Sequence, residues 1–299
     1  MLTKRSLNFA RIDGIDHNEL PAAIIFTVIY VPVTLLLVLF SIRQPTYVFR
    51  ALTLFSIVRI AAFTMRAILS GSATAGDNVN LVVAQMVIYN VGFSALLYSA
   101  YTLVLDRDNM TNATRRQGDG VFSFFKGIIR NRMLIRLALA AAIVIGIIGG
   151  VKQSKVNDPS EENAGDTLRK ISLYIFLAVV CLLTIVTLTL TFDERAAGVW
   201  SMKQTTFGRK YGILVLFLMS LLCLTREAYL AATAGNTAKQ NKAAVWYPLV
   251  AVTEFICVVL FMVPGLVPTR KELDVSKELG VGWADNQGAP TIPLTRQHV

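Results

Sequence analysis

Adjacent opposite charges stand inside an apolar stretch of this sequence. Arg226 and Glu227 directly follow the uncharged run YGILVLFLMSLLCLT, and three further charges, Arg59, Arg66 and Glu254, fall in apolar runs of the same kind. Ionised side chains in such surroundings either pair with one another or face a polar cavity. The pattern therefore predicts either ion pairs between helices or a polar site that binds an anion.

The familiar enzyme chemistries need residue sets that these apolar runs lack. The only histidines, His17 and His298, lie at opposite ends of the chain, which argues against a histidine-rich zinc site and a serine–histidine pair. No Asp falls within an apolar run, and the last run has no Lys for a retinal Schiff base. No P-loop or dinucleotide-binding glycine pattern is present. We therefore expect a protein that is not an enzyme and that needs no cofactor or metal.

The composition is typical of a membrane protein. Of the 299 residues, 54% are hydrophobic and 16% are charged, and the mean hydropathy is +0.56, well above the range of soluble domains. The formal net charge is +10. Lys and Arg lie mostly between the apolar runs, so we attribute this charge to membrane topology and anionic lipid headgroups, and we expect no nucleic-acid partner. All three cysteines lie in apolar runs, as small buried residues do.

Seven apolar runs are long enough to cross a bilayer, which takes about 20 helical residues each. They cover residues 20–41, 47–69, 80–105, 132–151, 171–192, 211–233 and 243–267. Helices are favoured over a barrel because the runs are too long for barrel strands and do not alternate. The sequence therefore predicts an all-α polytopic membrane protein, a seven-transmembrane helix bundle over residues 20–267. An outer tail of residues 1–19 and a mobile inner tail of residues 268–299 flank it.

The orientation follows from the connectors. Lys and Arg are more frequent in the connectors that lie inside if the N-terminus is outside, and this bias favours an outer N-terminus. Two glycosylation sequons, at Asn109 and Asn112, lie in a connector that this orientation places inside, and they favour the opposite arrangement. We retain the orientation that the charges predict, in the plasma membrane or another endomembrane.

Two further patterns concern the fourth run. Ala138, Ala142, Gly146 and Gly150 recur every four residues, which predicts a seam of small residues where a neighbouring helix approaches closely. The alternative is an Ala-rich helix without such a contact. Residues 121–137, just before, combine aromatic and basic positions in the manner of a helix that lies in the membrane interface.

The depth of the charged residues can be predicted from the helical rise. Arg59 and Glu254 lie roughly 16 to 18 Å into their runs, where an unpaired charge costs about 2.5 to 3.5 kcal/mol. We therefore expect both to face the bundle interior, where they can pair. Arg226 and Glu227 point about 100° apart on their helix, so we expect each to need its own partner. Arg66 is the predicted partner of Glu227, which leaves Arg226 for the membrane surface or a ligand anion.

These positions together predict a polar pocket in the outer half of the bundle. Two uncharged polar residues of the third run lie at a similar depth. The candidate ligand-binding residues are Arg59, Arg66, Gln85, Asn90, Arg226, Glu227 and Glu254. The alternative is that the charges only lock helices together, since structural ion pairs give the same sequence pattern.

Four stretches carry a resemblance to known proteins. They are DHNELPAAIIF in the first run, YSAYTLVLDRD at the end of the third, LTREAYLAAT in the sixth and VTEFICVVL in the seventh. The chain resembles a fungal seven-transmembrane family with receptor-like (G-protein-coupled-receptor-like) labels and, more distantly, the fungal lipid-translocating exporter group. The resemblance implies a sensing or lipid-handling role, with Arg226, Glu227 and Glu254 as matching polar positions. Residues 106–108, Asp-Arg-Asp, also resemble the acidic-arginine switch of rhodopsin-type receptors, although the other motifs of that class are missing.

Three functions are compatible with these observations. The first is a receptor-like protein that binds a small amphiphilic or anionic ligand in the outer pocket and signals to a cytosolic partner through its basic inner connectors. The second is a transporter or lipid translocator in which Glu254 and Arg59 gate a polar path. The third is a structural membrane protein in which ion pairs only hold helices together. Each has the lipid bilayer as a partner.

Overall fold

A computed structural model describes residues 14–15, 17–112, 132–153, 159–196 and 207–269. Within them, seven helices are long and apolar enough to cross a membrane. Their bounds are α1 Leu20–Arg43, α2 Tyr47–Gly71, α3 Val79–Asn112, α4 Arg132–Gln153, α5 Pro159–Ala196, α6 Phe207–Ala232 and α7 Ala243–Phe261. The predicted seven-helix bundle is confirmed, and the protein is a multi-pass membrane protein. Residues 121–131, the first part of the predicted interfacial stretch, lie outside the described residues.

Two helix ends differ from the apolar runs that predicted them. α5 begins at Pro159, well before the predicted start at residue 171, because the helix continues through a polar segment. Proline is favoured in a first helical turn, and two acidic residues in that turn suit the helix dipole. α7 ends at Phe261, short of the predicted residue 267. Pro264 and Gly265, the latter with a φ of 85°, end the helical course there.

The seventh helix is irregular in its first half. A short α-helical turn, Ala243–Trp246, leads into a π-helical segment, Tyr247–Val252, and α-helix resumes at Thr253. Pro248 lies inside the π-helical segment and has no N–H to donate to an ordinary helical bond. Trp246 before the segment and Glu254 after it are both buried. π-helical turns often occur at functional sites. The buried residues beside this half of α7 are therefore candidates for a functional site.

α3 lies at the centre of the bundle and contacts α2, α4, α5 and α6. Its Phe93, Leu96 and Leu97 are almost fully buried. α1, by contrast, exposes apolar residues such as Val28 and Leu35, each 61% exposed. An exposed apolar belt of this kind suits contact with lipid tails and not with water.

The small-residue seam of α4 faces α5. A Cβ added to Gly146 would lie 2.8 Å from Oγ of Ser172, and one added to Gly149 would lie 3.0 Å from the carbonyl oxygen of Gly165. Larger side chains at these two glycines would separate the helices. Gly150 instead faces α3, where its nearest neighbours are 3.9 Å away. The close contact therefore follows Gly146 and Gly149, not the strict four-residue repeat.

The segment before α1 lies against the bundle end at which α1 begins, which we call the amino end. Gly14, with a φ of 84°, contacts the backbone of Ala238 so closely that a Cβ would lie 2.8 Å from its carbonyl oxygen. Ile15 is buried, and Nδ1 of His17 lies 2.8 Å from the carbonyl oxygen of Ser70. Part of the predicted outer tail therefore covers the amino end.

Candidate functional site

Four of the predicted site residues form one ion cluster inside the bundle. Oε1 of Glu254 accepts hydrogen bonds from Nη2 of Arg59 at 2.8 Å and from Nε of Arg226 at 2.6 Å. Oε2 of Glu254 accepts from the hydroxyl of Tyr89 at 3.0 Å. The predicted pairing of Arg59 with Glu254 is confirmed. We call Arg59, Arg226, Glu227 and Glu254 the central ion cluster, which joins α2, α6 and α7 and, through Tyr89, α3.

Aromatic rings enclose the cations of this cluster. The guanidinium carbon of Arg59 lies 3.8 Å from the ring centre of Tyr89, and that of Arg226 lies 3.7 Å from the ring centre of Phe93. Each of the four charged residues is at most 1% exposed. Two arginines and two glutamates balance one another, and cation–π contacts add to their stabilisation. The cluster is therefore well suited to hold helices together and poorly placed to receive a ligand.

The prediction that Arg226 and Glu227 need separate partners is wrong. Nη1 of Arg226 contacts Oε1 of Glu227, while Nε of the same guanidinium binds Glu254. The 100° between neighbours applies to their Cβ directions, and the long arginine side chain bends across that angle. Since Arg226 is buried, it does not reach the membrane surface.

Arg66 also has a different partner from the one predicted. Its Nε and Nη2 lie 2.9 and 2.8 Å from Oε2 of Glu19, so the predicted pair of Arg66 with Glu227 is wrong. Its guanidinium carbon stacks 3.8 Å from the ring centre of Trp246. Sequence reasoning missed Glu19 because this residue precedes the first apolar run. The turn His17–Glu19 brings its carboxylate over α2.

A cleft opens beside Arg66 at the amino end, with a cavity volume of about 60 Å³. Arg66, Gln85 and Asn90 of the predicted set line it. Its other lining residues are Ile15, Val82, Met86, Tyr89, Arg169, Leu173, Leu230, Gln240, Asn241 and Trp246. We call it the amino-end cleft. Its volume fits about four to six water molecules or one small polyatomic anion. The structure thus divides the predicted site into three residues that line a cleft and four that form a sealed cluster.

Arg169 places a second guanidinium at this cleft. Its Nη1 donates to Oε1 of Gln240 at 2.9 Å and its Nη2 donates to the carbonyl oxygen of Ala234 at 2.7 Å. Asp166, one turn earlier, lies 3.5 Å from Nη2. Sequence reasoning assigned Arg169 to a connector, because the apolar run starts only at residue 171. The early start of α5 makes it a buried helical residue instead.

Two amides in the cleft lack protein partners. Gln85 is only 6% exposed, yet its side-chain amide makes no hydrogen bond to any described residue. The half-buried amide of Asn90 likewise has no hydrogen-bond partner among the residues that the structure covers. Both side chains border an open space, where water or a ligand could supply the missing bonds.

Metal binding has no comparable support. Within the described ranges, no group of three or more His, Cys, Asp or Glu side chains could hold a metal ion. The polar groups that line the cleft include guanidiniums and amides, whose N–H groups suit oxyanions.

A further ion pair lies at the opposite end of the bundle. Arg107 binds Glu194 through Nε at 2.6 Å and through Nη2 at 2.9 Å, and it also donates to the carbonyl oxygen of Arg209 at 3.1 Å. The neighbouring Asp106 pairs with Arg132. The Asp-Arg-Asp sequence therefore connects α3 to α4, α5 and α6.

Comparison with known proteins assigns the chain to a family by its sequence. No curated protein and no solved structure matches the chain. Residues 18–271 match a family described as a domain of unknown function, DUF7702. The match spans all seven helices and includes the central ion cluster and most of the residues that line the amino-end cleft. The chain therefore belongs to the DUF7702 family.

Proposed function

We propose that this protein is a receptor-like membrane protein that binds a small anionic ligand in the amino-end cleft. One observation carries the proposal. Two buried guanidiniums, of Arg66 and Arg169, and the unpartnered amide of Gln85 line the same cleft, and no carboxylate belongs to the described residues that line it. A phosphate or carboxylate group would meet charge-assisted donors there, in surroundings that screen charges poorly.

Arg66 is the residue through which an anion would act. It already shares its guanidinium with Glu19, so an incoming oxyanion competes for the same donors. The Arg66 guanidinium lies against Trp246, and the Trp246 ring lies 5.1 Å from that of Tyr89, whose hydroxyl binds Glu254. Contacts that are continuous in space thus lead from the cleft to the central ion cluster. Under the proposal, the ligand shifts Arg66 and Trp246 and thereby the packing of α7 against α2 and α3.

A receptor must also transmit this shift to its other end. The proposal places the amino end outside and the opposite end in the cytosol, as the connector charges favour. The ion pair of Arg107 with Glu194 joins α3 to α5 at that opposite end. Under the proposal, a change in helix packing alters this contact. A cytosolic partner would bind the basic connectors.

A transporter or lipid translocator is the second candidate. The π-helical segment Tyr247–Val252 favours it, because transport sites are often built on interrupted membrane helices. In the described conformation, however, Arg59 and Glu254 seal the bundle interior below the cleft. Flux of the bound anion into liposomes separates the two functions, since a receptor binds its ligand without moving it.

The cleft can be tested with Trp246 as a reporter. The substitutions Trp200→Phe and Trp283→Phe leave Trp246 as the only tryptophan. In phosphatidylcholine nanodiscs at constant ionic strength, inorganic phosphate or acetate should change its fluorescence in a saturable manner. Arg66→Gln should weaken that binding about tenfold or more, the loss of roughly 1.4 kcal/mol.

Arg50→Gln provides the matched control, because Arg50 is an exposed arginine on the same helix. It should leave the titration unchanged. The absence of saturable binding with both anions, or an equal loss in the two variants, would contradict the proposal.

A further inference from the structure

A short segment before α1 borders the amino-end cleft. Its described residues are Gly14, Ile15 and the 3₁₀ turn His17–Glu19, and we call them the amino-terminal strap. Ile15 lines the cleft and is only 3% exposed. Nδ1 of His17 lies 2.8 Å from the carbonyl oxygen of Ser70, near the end of α2. The strap therefore forms part of the cleft wall and is tied to α2.

Glu19 ends the strap and occupies donors of Arg66. Its Oε2 accepts a hydrogen bond from Nε of Arg66 at 2.9 Å and lies 2.8 Å from Nη2 of the same guanidinium. Glu19 is 1% exposed, so this contact is shielded from water. A carboxylate belongs to the same chemical class as the anion that the cleft is proposed to bind. Glu19 therefore fills, from within the chain, a place that an external oxyanion would need.

Glu19 is positioned differently from Glu254 of the central ion cluster. Glu254 lies within α7 and accepts hydrogen bonds from side chains of three other helices. Glu19 lies in a three-residue turn at the start of the first membrane-spanning segment. Short 3₁₀ turns have weak hydrogen-bond geometry, and a segment outside the long helices opens at a lower free-energy cost than they do. A displaced Glu19 can be hydrated at the end of the bundle, whereas a displaced Glu254 would stay inside the membrane.

We infer that Glu19 is a tethered competitor for Arg66 and that the strap is a lid, which opens when an anion takes the place of the Glu19 carboxylate. This inference rests on the proposed function of the cleft. One anion replaces another in this exchange, so Arg66 has a negative partner before and after it. Opening moves Ile15 out of the cleft wall and widens the space of about 60 Å³. Because only the open state binds, the Glu19 contact lowers the apparent affinity for the ligand.

The first test is Glu19→Gln in the titration of Trp246 fluorescence with inorganic phosphate, in phosphatidylcholine nanodiscs at constant ionic strength. The variant keeps the size of the side chain and removes its charge. It should bind phosphate about tenfold tighter, because an uncharged amide competes poorly for Arg66. Arg66→Gln, which breaks the same ion pair, should instead bind phosphate more weakly. An ion pair with a purely structural role does not predict opposite effects from its two partners.

Glu162→Gln is the matched control for the change in charge. Glu162 is an exposed glutamate in the first turn of α5, so this variant loses one carboxylate and keeps the contact of Glu19 with Arg66. Its phosphate affinity should be nearly unchanged, since solvent and salt screen an exposed charge.

His17→Ala tests the lid without any change at Glu19. It removes the hydrogen bond to Ser70 and loosens the strap. Phosphate affinity should rise about two- to fivefold, because the open state becomes more populated. This variant also keeps the inference testable if Glu19→Gln does not fold.

Hydrogen–deuterium exchange measures the opening itself. Saturating phosphate should speed the exchange of backbone amides at residues 14–19 several-fold in the wild type, because opening breaks the contacts of the strap. Exchange at residues 207–212, at the opposite end of the bundle, should stay the same.

The results separate this inference from the proposed function on which it rests. The lid is wrong if Glu19→Gln binds phosphate no tighter than the wild type, if Glu162→Gln tightens binding equally, or if exchange in the strap does not rise with phosphate. In each of these cases, weaker binding by Arg66→Gln still supports the anion site. If Arg66→Gln binds phosphate as the wild type does, the cleft is not the anion site and both proposals fail.

Discussion

The central ion cluster and the amino-end cleft both contain buried arginines, but the cluster is closed to solvent and the cleft is open. Both lie among α2, α3 and α7, and both contain arginine stacked on aromatic rings. In the cluster, the charges balance one another and every charged residue is sealed from solvent. In the cleft, an open volume of about 60 Å³ borders two amides without protein partners.

The difference shows how a charge inside a membrane protein can be interpreted. A buried charge by itself does not indicate a binding site, because an ion pair that satisfies it is sufficient explanation. Polar groups that border an open cavity and have no protein partner are accessible to a ligand, which the sealed charges of the cluster are not. We therefore interpret Arg59 and Glu254, which bind each other in a sealed interior, as structural residues, and Arg66, Gln85 and Asn90, which border an open volume, as candidate binding residues.

The largest effect is expected from Glu254→Gln. This change leaves Arg59 and Arg226 with only Glu227 to balance them in a sealed interior, and uncompensated buried charge of this kind typically lowers the free energy of unfolding by about 3 to 5 kcal/mol. Unfolding by SDS in mixed micelles measures the loss. Glu162→Gln, at an exposed glutamate in the first turn of α5, is the control and should lose at most about 1 kcal/mol through its weaker interaction with the helix dipole.

The double variant Arg59→Gln with Glu254→Gln sharpens the comparison. It leaves Arg226 and Glu227 as a neutral pair, so it should be more stable than Glu254→Gln alone. The double-mutant cycle should give a coupling energy of about 1 to 3 kcal/mol between the two positions. Additive losses would mean that the contact of Arg59 with Glu254 contributes little to the bundle.

An intermediate effect on stability is expected from Arg66→Gln. Its ion pair with Glu19 lies at the amino end, and the loss of a hydrogen bond to a charged group lowers the free energy of unfolding by about 1.5 to 3 kcal/mol. Anion binding should weaken at the same time, measured by the Trp246 titration. If the variant loses stability as expected but binds phosphate normally, Arg66 has only a structural role, through its ion pair with Glu19.

The smallest effect on stability is expected from Gln85→Met. Replacing an unpartnered buried amide by an apolar side chain of similar size should leave the free energy of unfolding unchanged or raise it by about 1 kcal/mol. Phosphate affinity should nevertheless fall several-fold. Gln44→Met, at an exposed position between α1 and α2, should change neither. A clear loss of stability in Gln85→Met would show that the amide already has a structural role.

The sequence predicted the bundle well because hydrophobic length is a local property. The residues of each apolar run are enough to predict a membrane-spanning helix. The helical rise then placed Arg59 and Glu254 at the same depth in the membrane, where they pair. The site was predicted less well, because side-chain partners come from segments that are distant in sequence and meet only in the folded protein. Glu19 reaches Arg66 only through the turn before α1, and Arg169 joins the cleft only because α5 extends beyond its apolar run.

The most direct test of the account is a phosphate titration of two variants whose roles it separates. The neutral double variant of Arg59 and Glu254 alters the cluster, and Gln85→Met alters only the cleft. Both are compared with the wild type by Trp246 fluorescence in nanodiscs, after a melting experiment has shown that each variant is folded. The account predicts near-normal affinity in the double variant and reduced affinity in Gln85→Met. Reduced affinity in the double variant together with normal affinity in Gln85→Met would contradict it and would place the ligand in the cluster.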